Sequence, residues 1–115
     1  MKKVLLCIEL LLIGLISLAQ YKVTFVIHQL PSYHKSANQI YLVGSFNNWN
    51  PGDKKLQLTS TNGKPGITIE LASGRYEYKF TGGSWENVES MDGGMPTQNR
   101  KVVIESDTTI SVEIE

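Results

Sequence analysis

The sequence predicts an all-β fold, an antiparallel β-sandwich of about seven to eight strands. Three observations carry that expectation. Short segments alternate apolar and polar residues with period two. Turn residues punctuate these segments at short, regular spacing. Outside the first 19 residues, no stretch shows helical periodicity over two turns.

The elements follow in order. Tyr21, Val23, Phe25 and Ile27 share one parity, and Lys22, Thr24, Val26 and His28 the other, which predicts a half-buried strand. Leu30 to Ser36 reads as a loop. Ile40 to Phe46 is a short, mostly apolar strand, and it runs into a polar loop, Asn47 to Lys55, with turn chemistry in Asn50-Pro51-Gly52-Asp53. Leu56 and Leu58 alternate with Gln57 and Thr59 and predict a further short strand; Thr61-Asn62-Gly63-Lys64 is a turn. Ile67, Ile69 and Leu71 form one alternating strand, and Tyr76, Tyr78 and Phe80 within Arg75 to Thr81 form the next. The tight Ser73-Gly74 turn between them predicts a hairpin. Gly82 to Arg100 is long and glycine-rich, with a brief extended piece expected at Trp85 to Glu89. Connections of that length are uncommon in compact domains and are often functional. Lys101 to Glu105 and Thr109 to Glu115 close the chain around a Ser106-Asp107 turn, with Ile110, Val112 and Ile114 facing in. This strand inventory predicts an immunoglobulin-like shape.

The chain has 115 residues and allows one domain at most. Residues 1–19 read as a signal peptide. Lys2 and Lys3 precede an apolar run from Val4 to Leu18, and Ser17-Leu18-Ala19 supplies small residues for cleavage before Gln20. The run is interrupted by Glu9 and Gly14 and falls short of a good membrane span, which needs roughly 20 apolar residues; the alternative to cleavage is a retained N-terminal anchor. Residues 20–115 are then the β-sandwich domain, exported to a secreted, periplasmic or cell-surface location.

Cys7, the single cysteine, lies in the signal segment, so residues 20–115 offer no thiol nucleophile, thiolate metal site or disulfide. The domain must rest on its apolar core. The formal net charge of the whole chain is zero, and loss of the signal shifts it by one negative unit. With no basic stripe, nucleic acid and anionic membrane are not expected partners.

Nothing in the sequence assembles a catalytic centre. His28 and His34 lack the spacing of metal ligands. No Gly-x-Ser-x-Gly or phosphate-cradling loop is present, and Gly82-Gly83 and Gly93-Gly94 read as turn residues. Glu86, Glu89 and Asp92 cluster near Trp85, but glycoside hydrolysis needs two carboxylates across a deep cleft, which a sandwich this small has little room for. These acids are expected to be loop solvation or sugar-hydroxyl acceptors. The expectation is a protein that is not an enzyme, with no catalytic residue, no metal and no cofactor.

Two tryptophans are out of place for a core. Trp49 sits among Asn47, Asn48, Asn50 and Pro51, and Trp85 sits beside Ser84, Glu86 and Asn87. An exposed indole offers a flat apolar platform to the C–H face of a sugar, with its N–H free to donate. Neighbouring Asn, Lys and Glu can pair with the hydroxyl rim. Composition leaves a second arrangement open, in which one or both rings fold back to cap the sandwich, because Trp is highly buried on average.

Ile-Tyr-Leu-Val-Gly-Ser-Phe-Asn-Asn-Trp at 40–49, Gly-Arg-Tyr-Glu-Tyr-Lys-Phe at 74–80, Gly-Ser-Trp at 83–85 and Asn99-Arg100 resemble, as an ordered set, the starch- and glycogen-binding modules. These are the starch-binding domains of amylases and the glycogen-binding domain of the AMP-activated protein kinase β subunit. The run Lys-Phe-Thr-x-Gly-Ser-Trp-Glu-x-Val-Glu is most similar to the starch-binding type. The resemblance implies that Trp49 and Trp85 are stacking residues forming a curved platform for a helical α-glucan. It also implies that Lys79 and Asn99 hydrogen-bond glucose hydroxyls, with Glu86 and Asn87 as rim contacts. Gly82-Gly83 departs from the more usual Thr-Arg-Gly, so an arginine contact would be missing. Parity independently turns Lys79 away from the face that Tyr78 and Phe80 bury.

The expected function is therefore non-catalytic binding of an α-glucan polysaccharide or maltooligosaccharide, with a separate polysaccharide-processing enzyme as a further candidate partner. The alternative is an immunoglobulin-like interaction or structural module whose tryptophans dock a protein such as a hydrolase, since aromatic anchors in a polar rim serve that role equally well.

Overall fold

A computed structural model describes residues 19–30, 39–90 and 97–114. The signal-peptide segment through Leu18, Cys7, His34, and Met91 to Pro96 with Asp92 lie outside the described residues. Among the described residues there are seven strands: β1 (Tyr21–Gln29), β2 (Tyr41–Gly44), β3 (Thr59–Thr61), β4 (Lys64–Leu71), β5 (Gly74–Thr81), β6 (Arg100–Ile104) and β7 (Thr108–Glu113). They form a four-stranded sheet in the order β3-β4-β1-β7 and a three-stranded sheet in the order β2-β5-β6. Among the described residues there is no α-helix, only single turns of 3₁₀ helix.

The two sheets pack face to face because each carries an apolar inner row. Val23, Phe25, Ile27, Leu71 and Val112 come from one sheet; Leu42, Tyr78, Phe80 and Ile104 come from the other. Ile40, Leu56 and Leu58 close the core from the connections. Phe25 meets Tyr78 across the interface edge-on, with centroids 5.0 Å apart. Each fully buried side chain of this size contributes about 1.5–3 kcal/mol.

The predicted sandwich is thus present, with three local differences. First, the segments on either side of Ser73-Gly74 are not a hairpin. Leu71 pairs with Tyr21 in one sheet, whereas Gly74 pairs with Ile104 in the other. The two residues between β4 and β5 carry the chain from sheet to sheet, and the Tyr76 hydroxyl braces the crossing by donating to the Ala72 carbonyl at 2.7 Å. Alternation reports which face is buried, and the two inner faces of a sandwich carry the same pattern, so it does not report the partner strand. The true hairpin joins β3 to β4 through Asn62-Gly63, whose φ values of 53° and 81° suit a two-residue turn of the I′ kind.

Second, β1 and β7 pair in parallel, the exception in an otherwise antiparallel arrangement. Third, two predicted extended pieces are interrupted by 3₁₀ turns. In the piece predicted from Leu56 to Thr59, Leu56 ends the 3₁₀ turn Lys54–Leu56, which is capped by the Asp53 carboxylate accepting from Lys55 N; Gln57 forms an isolated bridge to Tyr41, and β3 begins at Thr59. Trp85–Asn87 is likewise a single 3₁₀ turn.

Strand β2 is shorter than expected and ends at Gly44. A Cβ there would lie 2.5 Å from the Glu77 carbonyl oxygen and 2.7 Å from the Phe46 ring. Only glycine lets the chain turn this close to β5, and Ser45–Asn47 then winds into a 3₁₀ turn.

Candidate functional site

The site is built on the outer face of the β2-β5-β6 sheet. Leu42 and Phe80 point into the core, so their neighbours Val43, Lys79 and Thr81 point outward. Val43 is nevertheless fully buried and stands apart from the inter-sheet core. The chain after β2 explains this. It leaves from Gly44, opposite Tyr78, and returns to Pro51, whose carbonyl accepts from the Thr81 hydroxyl opposite Tyr41. The loop therefore runs back along the outer face and roofs it.

Asn47 shapes that loop. Its Oδ1 accepts from Gly44 N at 3.1 Å and its Nδ2 donates to the Asn50 carbonyl at 3.0 Å. Asn50 Oδ1 in turn accepts from Gly52 N. The asparagines at 47 and 50, expected as sugar-facing groups, spend these atoms on the loop itself; Asn48 is exposed. Asn48 and Trp49 both adopt positive φ, 57° and 56°, and Trp49 N donates to the Gly44 carbonyl at 3.0 Å. A left-handed tryptophan costs roughly 1–2 kcal/mol, and such strain concentrates at functional sites.

The second indole comes from the loop after β5. Asn87 N donates to the Ser84 carbonyl, and Gly82 N to the Asn87 carbonyl at 2.6 Å, closing a small knot around Trp85. Trp85 is 47% exposed and Trp49 is half-buried, and neither belongs to the inter-sheet core. Their ring centroids lie 6.3 Å apart with planes inclined by 37°. The two rings are neither stacked nor perpendicular, and together they make a bent apolar surface. Neither ring packs against the inter-sheet core.

Glu86 and Asn87 are exposed on the same 3₁₀ turn as Trp85. Lys79 is half-buried on the outer face, as parity predicts, and its ammonium donates to both the carbonyl and the hydroxyl of Thr97. Two of its three N–H groups are thereby taken. Asn99 is exposed just before β6 and donates to the Glu77 carboxylate at 3.5 Å. Continuing the β5–β6 register past Tyr78 and Arg100 sets Asn99 opposite Lys79.

Glu89 departs from expectation. It is neither loop solvation nor a sugar acceptor: its side chain is 2% exposed and chelated by Arg100, with Nη2 to Oε2 at 2.8 Å and Nε to both oxygens at 3.1 Å. Glu89 Oε1 also accepts from Phe80 N, and Glu89 N donates to the Phe80 carbonyl. The carboxylate fastens the end of the loop to β5. His28, which lacks metal-ligand spacing, is exposed but engaged, with Nδ1 2.9 Å from Ser111 Oγ and Nε2 2.8 Å from Glu113 Oε1. Among the described residues no cluster of His, Cys, Asp and Glu is suited to a metal, and no helix is long and apolar enough to cross a membrane.

Three residues join the site in a role the sequence did not mark: Thr81, and Gly52 and Gly83, which read there as turn residues. Gly83 adopts φ +112°, and a Cβ on it would approach the Tyr41 ring at 3.3 Å; a Cβ on Gly52 would lie 2.7 Å from the Gly83 carbonyl oxygen. The loops bearing the two indoles therefore touch backbone to backbone. At the neighbouring Gly82, where the resemblance would place arginine, a Cβ would crowd that of Asn87 at 3.1 Å.

The family model described as the glycogen recognition site of AMP-activated protein kinase matches residues 27–104. An alpha-amylase of Niallia circulans is 43% identical over 63 residues, which is 53% of this chain and 5% of that enzyme. An amylopullulanase of Thermoanaerobacter thermohydrosulfuricus is 33% identical over 86 residues, 72% of this chain and 6% of that enzyme. The chain thus spans only a small fraction of the length of either relative. Among solved structures, the family 20 carbohydrate-binding module of the maltotetraose-forming amylase from Pseudomonas saccharophila STB07 is similar, with a TM-score of 0.47 and 19% identity. That match covers 80% of this chain and 98% of that one.

Proposed function

The chain belongs to the family of the AMP-activated protein kinase glycogen-recognition site, and from that premise we propose that it binds starch- or glycogen-type α-glucans without acting on them. The observation that carries the reading is the bent pair of indoles, Trp49 and Trp85, 6.3 Å apart outside the core. Each ring offers an apolar face to one glucose, and the inclination between them follows the turn of a helical glucan. Lys79, with one N–H to spare, and Asn99 supply hydroxyl contacts at the adjoining register position, and Glu86 and Asn87 supply the rim.

A shallow surface site of two rings and a few hydrogen bonds supports an affinity on the order of 0.01–1 mM. Repeated engagement along a polymer raises the apparent value. Residues 1–19 serve as the export signal in this reading, and the domain from Gln20 onward works outside the cytoplasm, alone or beside a separate polysaccharide-processing enzyme.

The test is retention on insoluble starch. The wild-type domain is expected to co-sediment and to be released by maltoheptaose, while Trp49→Ala and Trp85→Ala each remain in the supernatant although still folded, as judged by dispersed amide signals in proton NMR. A folded wild type that stays in solution with starch and with glycogen would defeat the proposal.

A further inference from the structure

The two indoles sit on separate loops, one after β2 and one after β5, and a sugar platform needs them held at a fixed angle. Thr81 is where these loops meet. It is the last residue of β5, its side chain points to the outer face, and it is only 3% exposed. Its hydroxyl donates to the Pro51 carbonyl at 2.6 Å, on the loop of Trp49, and accepts from Gly83 N at 3.1 Å, on the loop of Trp85. One hydroxyl thus uses its single proton on one loop and a lone pair on the other. Beside it, the Gly52–Gly83 contact leaves no room for a side chain at position 52. The Thr81 hydroxyl is shielded from water while Pro51 and Gly83 are half-buried, so losing it leaves their carbonyl and amide only partly compensated by solvent.

We infer that Thr81 is a positioning residue for the platform: it couples the Trp49 and Trp85 loops and sets the inclination of the two rings. The inference rests on the α-glucan reading for its consequence in binding, but the coupling itself is a property of the sugar-free chain. Thr81→Val keeps the shape and removes the hydroxyl, leaving the Pro51 carbonyl and the Gly83 amide without their partner. Thr81→Ser keeps the hydroxyl and removes only a methyl.

Two readouts separate positioning from general support. Indoles this close couple their excited states, so far-ultraviolet circular dichroism carries an exciton couplet that depends on their mutual angle. The couplet is expected to collapse in Thr81→Val and to survive in Thr81→Ser, and calorimetry with maltoheptaose is expected to show about tenfold weaker binding in the first and less than about threefold in the second. In a Trp49→Ala background, Thr81→Val is expected to change affinity by less than about twofold, because the pair it positions is already gone. Gly52→Ala, which forces the loops apart from the other side, is expected to disturb the couplet in the same way and serves if Thr81→Val does not fold. An unchanged couplet in both Thr81→Val and Gly52→Ala would overturn the inference, and so would a full tenfold loss persisting in the Trp49→Ala background. A wild type that binds no glucan, with a couplet that still collapses in Thr81→Val, would remove the sugar reading and uphold the coupling.

Discussion

Arg100 grips Glu89 through a two-pronged ion pair, 2.8 Å at its shortest, at the point where the long loop after β5 returns to the sheet. The carboxylate is almost wholly out of water, while the guanidinium is 30% exposed and reaches on to the Glu113 carbonyl. Breaking a buried pair from one side is costly because the remaining charge keeps its desolvation penalty. Glu89→Gln can preserve the bond to Phe80 N but not the charge opposite Arg100. With the partial exposure of Arg100 discounted, a loss of about 2–3 kcal/mol is expected. For a domain of this size that lowers the thermal midpoint by on the order of 10–20 °C. Chemical denaturation of Glu89→Gln beside wild type measures it, and a loss under about 1 kcal/mol would show that the pair is not holding the loop.

Glu89 also shows where a linear reading stops. An acid in a stretch of Gly, Asn and Ser looks solvated, and its partner lies 11 residues away beyond the loop. Thr81 fails for a related reason: outward parity at a strand end predicts exposure, and the loop that covers it starts from another strand. What local chemistry decides was readable. Alternation located the inner faces of β1, β4, β5 and β7, and the polar settings of Trp49 and Trp85 marked both rings as lying outside the core. What depends on pairing was not readable, as the sheet-crossing step at Ser73-Gly74 demonstrates.

Lys79 offers a sharper test of the polar half of the site. Its ammonium is anchored on Thr97, so it can act on a sugar directly or by holding the chain that leads to Asn99. The remaining N–H favours the direct role. Lys79→Ala is then expected to weaken maltoheptaose binding about fivefold, the worth of one hydrogen bond from a charged donor at a solvated site. Thr97→Val, which releases the ammonium from the hydroxyl, is expected to change it by less than about twofold. Isothermal titration of both variants decides between the roles; equal losses in the two would assign Lys79 to holding the chain.

Tyr78 links the core to alkaline stability. Burial between the sheets raises its phenol above the ordinary value of 10.0, with the Arg100 charge opposing the shift and Glu89 adding to it. The folded chain therefore keeps this proton at pH values where the unfolded chain has released it. Below pH 10 the contribution to stability is intact; as pH rises from there toward the folded-state value, it is lost at up to about 1.4 kcal/mol per pH unit. Tyr78→Phe has no proton to lose at this position. Denaturant midpoints followed from pH 9 to pH 11.5 are expected to fall more steeply for wild type than for Tyr78→Phe, with the two curves diverging only above pH 10. Parallel curves over that range would mean that the phenol ionises as readily in the folded chain as in the unfolded one.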